Sequence, residues 1–351
     1  MTTKTSFPTR PLGRSGLEIT RIGLGAWAIG GNGWAVGWGA QDDLDSIAAI
    51  RLAVDRGINW IDTAAVYGLG HSEEIVRRAL AQMPGSERPY IFTKCGLTWS
   101  PEQPQAMPRR NGAPASIRSE IEDSLRRLGV ERIDLYQMHW PAGDGTPLES
   151  YWRELLDLKQ AGKVGAIGLS NHNLAQVQDA ESFGHVDTLQ PPFSAIRREA
   201  AADLIPWCAA NDTGVIVYSP MQSGLLTGGF SEERARALPA DDWRSRNAEF
   251  TPPNLQRNLA LAEAFKPIAE RHGTTVAAVA AAWTLAWPGV TGAIVGARSA
   301  AQVNGLLGAA ELELDSDDMD AIAEAIEETG AGAGPRRPPE ESGALPANLF
   351  A

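Results

Sequence analysis

A chain of 351 residues has room for one large domain or two smaller ones, with an ample core. Apolar residues at 43% and charged residues at 21% match an ordinary globular protein and exclude the disordered and fibrous classes. A net charge of −12 argues against nucleic acid or an anionic membrane as partner, because phosphates would be repelled, yet it leaves room for a local basic pocket holding one phosphorylated cofactor.

The opening residues MTTKTSFPTR carry no apolar stretch of the secretory kind, and no run of about 18 apolar residues follows. The expectation is a soluble, cytoplasmic protein. PLGRSGLEIT reads as a hairpin with Ser15-Gly16 near its turn, suited to plugging the N-terminal end of a barrel. Short apolar runs then alternate with amphipathic segments. The runs cover 22–24, 58–61, 90–93, 133–138, 164–169, 186–189, 215–218 and 293–295. Eight such runs interleaved with helices predict a closed parallel barrel or a doubly wound sheet. Their nearly continuous apolar character suits strands covered on both faces.

Helical spacing marks the intervening segments. Ile47, Ile50 and Val54 recur at that period, as do Ile117, Ile121, Leu125 and Leu128, with Ser116 placed to cap the second set and Gly129 to stop it. A helix beginning at Tyr151 stops at Gly162. Two stretches, 254–272 and 274–286, precede the eighth run, and a last helix covers 316–327. The domain reading is a single unit over 1–328, followed by a Gly/Pro-rich tail over 329–351 that disfavours regular structure. Cys95 and Cys208 fit neither a disulfide framework nor a metal spacing and read as buried thiols in a reducing compartment. No metal site is expected.

Four polar residues stand just past consecutive runs: Asp62, then Tyr67 five positions on, Lys94 and His139. In a parallel barrel the strand ends share one mouth, so these side chains can converge. A lysine beside a tyrosine favours the phenolate and lowers its pKa, an aspartate holds the lysine, and a histidine orients a carbonyl by hydrogen bonding. Any one of the four alone reads as an ion pair or as packing. Together they read as a general acid aimed at a carbonyl oxygen.

IDTAAVYGLGHSEEIVRRAL, which supplies Asp62 and Tyr67, resembles the aldo-keto reductase signature. Lys94 in IFTKCG and His139 in LYQMHWP match that family's remaining catalytic positions, and the resemblance runs from PLGRSGLEIT to GARSAAQV. It implies a (β/α)₈ TIM barrel with an N-terminal β-hairpin and an extra C-terminal helix, and reduction of a small-molecule carbonyl with NADPH (NADP+ as product) bound without a Rossmann domain. It further implies that Ser170, Asn171 and Gln190 hold the nicotinamide carboxamide and that Tyr218 stacks on the ring. Asp62 and Trp27 would border the cofactor. Ser219, Met221, Ser223, Gly224 and Leu225 would meet the pyrophosphate, with Gly296, Ala297, Arg298 and Gln302 at the adenosine 2′-phosphate. Where many members carry Glu-Asn shortly after this glutamine, the chain has Gly305-Leu306, which removes a contact to the adenine.

Trp27 and Trp140 are expected to line the substrate side. Trp34, Trp38 and Trp99, taken singly, read as packing between loops, and DDWRSRNAEF is at best a lid contributing Arg244 or Arg246. Two other functions compete. One is a regulatory, NADPH-binding subunit of the potassium-channel β type with little turnover. The other is a Schiff-base enzyme with Lys94 as nucleophile, which an adjacent aspartate disfavours by keeping the lysine charged.

Overall fold

The apolar runs become the staves of one barrel because each is followed by a helix that covers its outer face. The computed structural model describes residues 7–81, 83–239 and 242–339. In chain order the strands are β1 (Thr9–Pro11), β2 (Glu18–Thr20), β3 (Ile22–Gly25), β4 (Trp60–Asp62), β5 (Tyr90–Cys95), β6 (Leu97–Thr98), β7 (Arg109–Arg110), β8 (Ile133–Met138), β9 (Val164–Ser170), β10 (Thr188–Gln190), β11 (Gly214–Tyr218) and β12 (Val290–Gly296). The barrel runs β3-β4-β5-β8-β9-β10-β11-β12 and closes back on β3 through parallel pairing of Ile22 with Ala293. It is the eight-stranded parallel barrel of the expected class.

Outside the staves lie α1 (Asp43–Asp55), α2 (His71–Leu80), α3 (Pro114–Leu128), α4 (Leu148–Gln160), α5 (Leu174–Phe183), α6 (Leu204–Ala210), α7 (Glu232–Arg236), α8 (Asn254–Ala264), α9 (Lys266–Arg271), α10 (Val276–Leu285), α11 (Ala300–Leu306) and α12 (Ser316–Thr329). None of these helices is long and apolar enough to cross a membrane. Two helix expectations change. Ser116 does not cap α3: Pro114 starts it with its φ already helical, and Ser116 Oγ instead donates to Glu120 Oε1 at 2.8 Å. The stretch 254–272 is two helices, because Pro267 in the first turn of α9 has no N–H to continue the ladder from α8.

The barrel floor is the hairpin β1–β2. It puts Leu12, Leu17 and Ile19 against Trp60, Phe92, Leu135, Ala166 and Ile216, which fill the barrel interior. Beyond α12, residues 331–334 hold no helix or strand, but they are docked. Arg198 donates through Nη1 to Ala331 O at 3.1 Å and through Nε to Gly334 O at 3.3 Å, and the Ile196 and Ala333 backbones are joined at 3.2 Å. Gly332 is required there: its φ is +63°, and a Cβ would lie 1.7 Å from Ile196 O. The end of the tail, 340–351, lies outside the described residues, as do residues 1–6.

Candidate active site

β4, β5 and β8 are consecutive staves, so what stands at their C-terminal ends must meet. Asp62 is the last residue of β4, Lys94 the penultimate residue of β5, and His139 directly follows β8. Tyr67 opens the short 3₁₀ turn Tyr67–Gly70 beyond β4. Lys94 Nζ lies 2.5 Å from Asp62 Oδ1 and 2.9 Å from Thr63 O. The same ammonium is 5.3 Å from the centroid of the Tyr67 ring. The His139 ring meets that ring edge-on at 5.7 Å. Asp62 uses its second oxygen to accept from Gln190 Nε2 at 2.9 Å.

The electrostatics favour a protonated phenol. Burial and the Asp62 carboxylate hold Tyr67 well above the ordinary tyrosine value. The lysine was expected to lower it. The ammonium is paired at 2.5 Å with Asp62, and the net displacement with no ligand bound is upward. Burial pulls the Lys94 ammonium down and pushes Asp62 up, each opposed by the other. Burial, then the nearby Lys94 charge, takes His139 well below 6.5, so its imidazole is neutral.

These groups border a cavity of about 690 Å³ that extends from Tyr67, His139 and Trp140 to Arg298, Gln302 and Gly305. Trp27, Asp62, Ser170, Asn171, Gln190, Tyr218, Ser219, Met221, Ser223, Gly224 and Gly296 line it as well. Lys94 lies beneath the wall, 1% exposed. Leu225 and Ala297 are not on the wall. Both are buried in the apolar core. Trp38 lines the cavity, and Trp34 borders it while packed at 4% exposure with Val66 and Trp99.

The amides are more committed than free carboxamide readers would be. Asn171, at φ 62°, donates to His139 O at 2.9 Å and Ser170 Oγ at 3.1 Å, and accepts from Tyr218 OH at 2.8 Å. Gln190 spends its nitrogen on Asp62 and Gln137. Past β11, Ser219, Gln222, Ser223 and Gly224 all take positive φ, and the N–H groups of Gln222 and Gly224 are given to Ser219 O at 2.8 Å and Met221 O at 3.1 Å. Arg298 donates to Gln41 Oε1 at 2.6 Å and to the carbonyls of Trp38 and Ala40. Ser299 caps α11, and Gln302 Oε1 accepts from Arg298 N.

Sequence reasoning missed several members. Gln137 is fully buried beside Lys94 in the β5–β8 register, where its side chain helps stabilise the Asp62 carboxylate. Its signal was a polar residue inside an apolar run. Arg244, expected at best as a lid residue, lines the cavity while paired bidentately with Asp242 at 3.0 and 2.7 Å. Its neighbour Trp243 stacks on Trp27 at 5.7 Å, and Trp27 stacks on Tyr67 at 6.2 Å. Gln41 and Arg110 gave no signal, since only the fold brings their loops to the mouth.

A parallel barrel with this ionisable cluster at its C-terminal mouth has the layout of a barrel enzyme. The comparisons make the class specific. The profile described as Aldo/keto reductase family matches residues 21–327. "Aldo-keto reductase YhdN" of Bacillus subtilis is 36% identical over 90% of this chain and 92% of that protein. The "NADH-specific methylglyoxal reductase" of Escherichia coli is 33% identical over 90% of this chain and 98% of its own length. The solved glycerol dehydrogenase of Gluconobacter oxydans superposes with a TM-score of 0.82 at 38% identity, covering 98% of this chain and all of that one. The chain belongs to the aldo-keto reductase family, whose members are oxidoreductases that reduce carbonyl groups with a nicotinamide cofactor.

Proposed function

We propose that the protein is an NADPH-dependent reductase of aldehydes or ketones in which Tyr67 is the general acid. The observation that carries this reading is the Asp62–Lys94–Tyr67–His139 cluster at one end of a cavity whose other end is lined by Arg234, Arg244 and Arg298. A phosphorylated dinucleotide fits these walls. Gly296 has open space where a Cβ would stand, and Gln190 Oε1 accepts no protein hydrogen bond among the described residues.

Ser170, Asn171 and Gln190 would hold the carboxamide, the glutamine through that oxygen, with Tyr218 offering an aromatic face. The backbone of 219–225 would meet the pyrophosphate. Gly296, Ala297, Arg298 and Gln302 would meet the adenosine phosphate, Arg298 with the N–H groups it does not give to the 38–41 loop. The bound nicotinamide supplies hydride. The chain supplies the rest: neutral His139 donates to the substrate carbonyl, Tyr67 gives its proton to that oxygen, and Lys94, fixed by Asp62, stabilises the phenolate left behind. Trp27 and Trp140 wall the substrate.

A relative named for NADH specificity makes cofactor choice the point to measure. Titration of both cofactors should find NADPH preferred, and Arg298→Ala should weaken NADPH about ten- to a hundredfold while sparing NADH. Equal affinity of the unmodified protein for both would overturn the NADPH assignment. Tyr67→Phe should lose about 10²–10⁴-fold in turnover with cofactor binding intact. Undiminished turnover would reject Tyr67 as the acid.

A further inference from the structure

Four arginines line the cavity, and three of them are occupied. Arg298 is held by Gln41 and two carbonyls, Arg244 by Asp242, and Arg234 reaches Gly229 O and lies over the Phe230 ring. The fourth, Arg110, is different. Among the described residues, its guanidinium has neither a hydrogen-bond acceptor nor a carboxylate in ion-pair range. The residue is exposed, but the backbone that carries it is fixed. Its backbone pairs with Leu97 in the two-stranded β6–β7 ribbon, and its carbonyl accepts from Gly143 N at 3.2 Å. The ribbon's base is tied by Asn111 N to Gly96 O at 3.0 Å and by Glu120 to Gly96 N at 2.9 Å. The guanidinium lies 4.4 Å from the centroid of the Trp140 indole, which directly follows His139 in the chain.

An arginine held over an aromatic ring keeps its N–H donors for a ligand, since the ring engages the cation and takes no conventional hydrogen bond. The surrounding wall carries Leu97, Met107 and Pro108, and Met107 is 68% exposed at the rim. The carboxylate lining the cavity, Asp62, is already neutralised by Lys94. The substrate end therefore offers an apolar slot beside one uncompensated, preorganised cation whose planar fork matches a carboxylate.

We propose that Arg110 is a specificity-determining residue and that the substrates are aldehydes or ketones bearing a carboxylate on an apolar body. The reaction class is unchanged: the carbonyl is reduced to the alcohol and the carboxylate is only bound. This rests on the reductase reading above, and the test separates the two. Reduction of 4-carboxybenzaldehyde and of 4-methylbenzaldehyde, its neutral counterpart, is measured for the unmodified enzyme, Arg110→Ala, Arg110→Lys and Arg110→Glu.

The carboxylate substrate should lose about ten- to a hundredfold in kcat/KM with Arg110→Ala, chiefly through KM, and more with Arg110→Glu. Arg110→Lys should recover part of the loss, and the neutral aldehyde should change less than about threefold throughout. Parallel losses for both aldehydes would overturn the proposal and leave Arg110 as packing for Trp140. Turnover of neither aldehyde by the unmodified enzyme would count against the reductase reading instead. Calorimetric binding of 4-carboxybenzyl alcohol and 4-methylbenzyl alcohol to the cofactor-loaded protein then still decides on Arg110, which requires that only the carboxylated alcohol weaken in Arg110→Ala.

Discussion

Tyr67 and His139 are displaced in opposite directions from their ordinary values, and both displacements suit reduction at neutral pH. The phenol is held high and keeps its proton, while the imidazole is held low and stays neutral. The rate of carbonyl reduction is therefore expected to cross the region near pH 6.5, the usual histidine value, without an inflection. A bell centred there in the pH profile of kcat/KM would mean that a charged His139 takes part. Another buried imidazole, His172, has a structural consequence. Its Nδ1 faces Ser170 O at 2.8 Å and its Nε2 faces Tyr151 OH at 2.9 Å, which fixes the neutral Nδ1–H form with Nε2 accepting. Burial lowers it to about 4. The unfolded chain takes a proton near pH 6.5 that the folded ring refuses, so its contribution to stability is complete above that pH. The contribution is lost as pH falls, reaching about 3 kcal/mol by pH 4. Denaturant unfolding at pH 7, 5 and 4 should show a steeper loss for the unmodified protein than for His172→Gln. Parallel losses would contradict this.

At the scale of elements, charge is where sequence and structure part. HSEEIVRRAL reads as an amphipathic helix, and α2 is one. Yet Glu73 within it is fully buried, while Glu74 beside it faces solvent. Glu73 accepts from Thr93 Oγ1 on β5 at 2.7 Å and pairs with Arg127 of α3 at 2.6 Å, so one carboxylate ties three elements. Arg127→Ala would strand that carboxylate and is expected to cost about 3–5 kcal/mol, read from urea unfolding. A loss within about 0.5 kcal/mol would show the pair to be dispensable.

No periodicity marks such a residue, because its partners come from elsewhere in the chain. The barrel staves were legible because an apolar run needs no distant partner to be recognised. Asp62, Lys94 and His139 were legible because each breaks or ends such a run. The amide network around Asn171 and the engagement of Arg298 with Gln41 were not, since both depend on loops meeting across the mouth. Likewise, the docking of residues 331–334 at Arg198 was not legible, because it depends on backbone carbonyls that every sequence carries.

At the scale of the whole molecule, an acidic protein of net charge −12 carries four arginines on the wall of the cavity beside Tyr67. The same barrel imposes an order of events on its own assembly. β3 lies between β4 and β12, so the first stave lacks one neighbour until nearly the entire chain has been made. Until then its edge is open, and the hairpin floor lies under a sheet that has not closed. Pairings this distant in sequence are slow to form, whereas helices need only local contacts. On dilution from denaturant, the far-ultraviolet helical signal is therefore expected to return before the capacity to bind a nicotinamide cofactor. Simultaneous recovery of the two would mean that closure is not the late step. A nascent chain of this fold spends its synthesis with both sheet edges unpaired, exposed to aggregation until its last stave arrives.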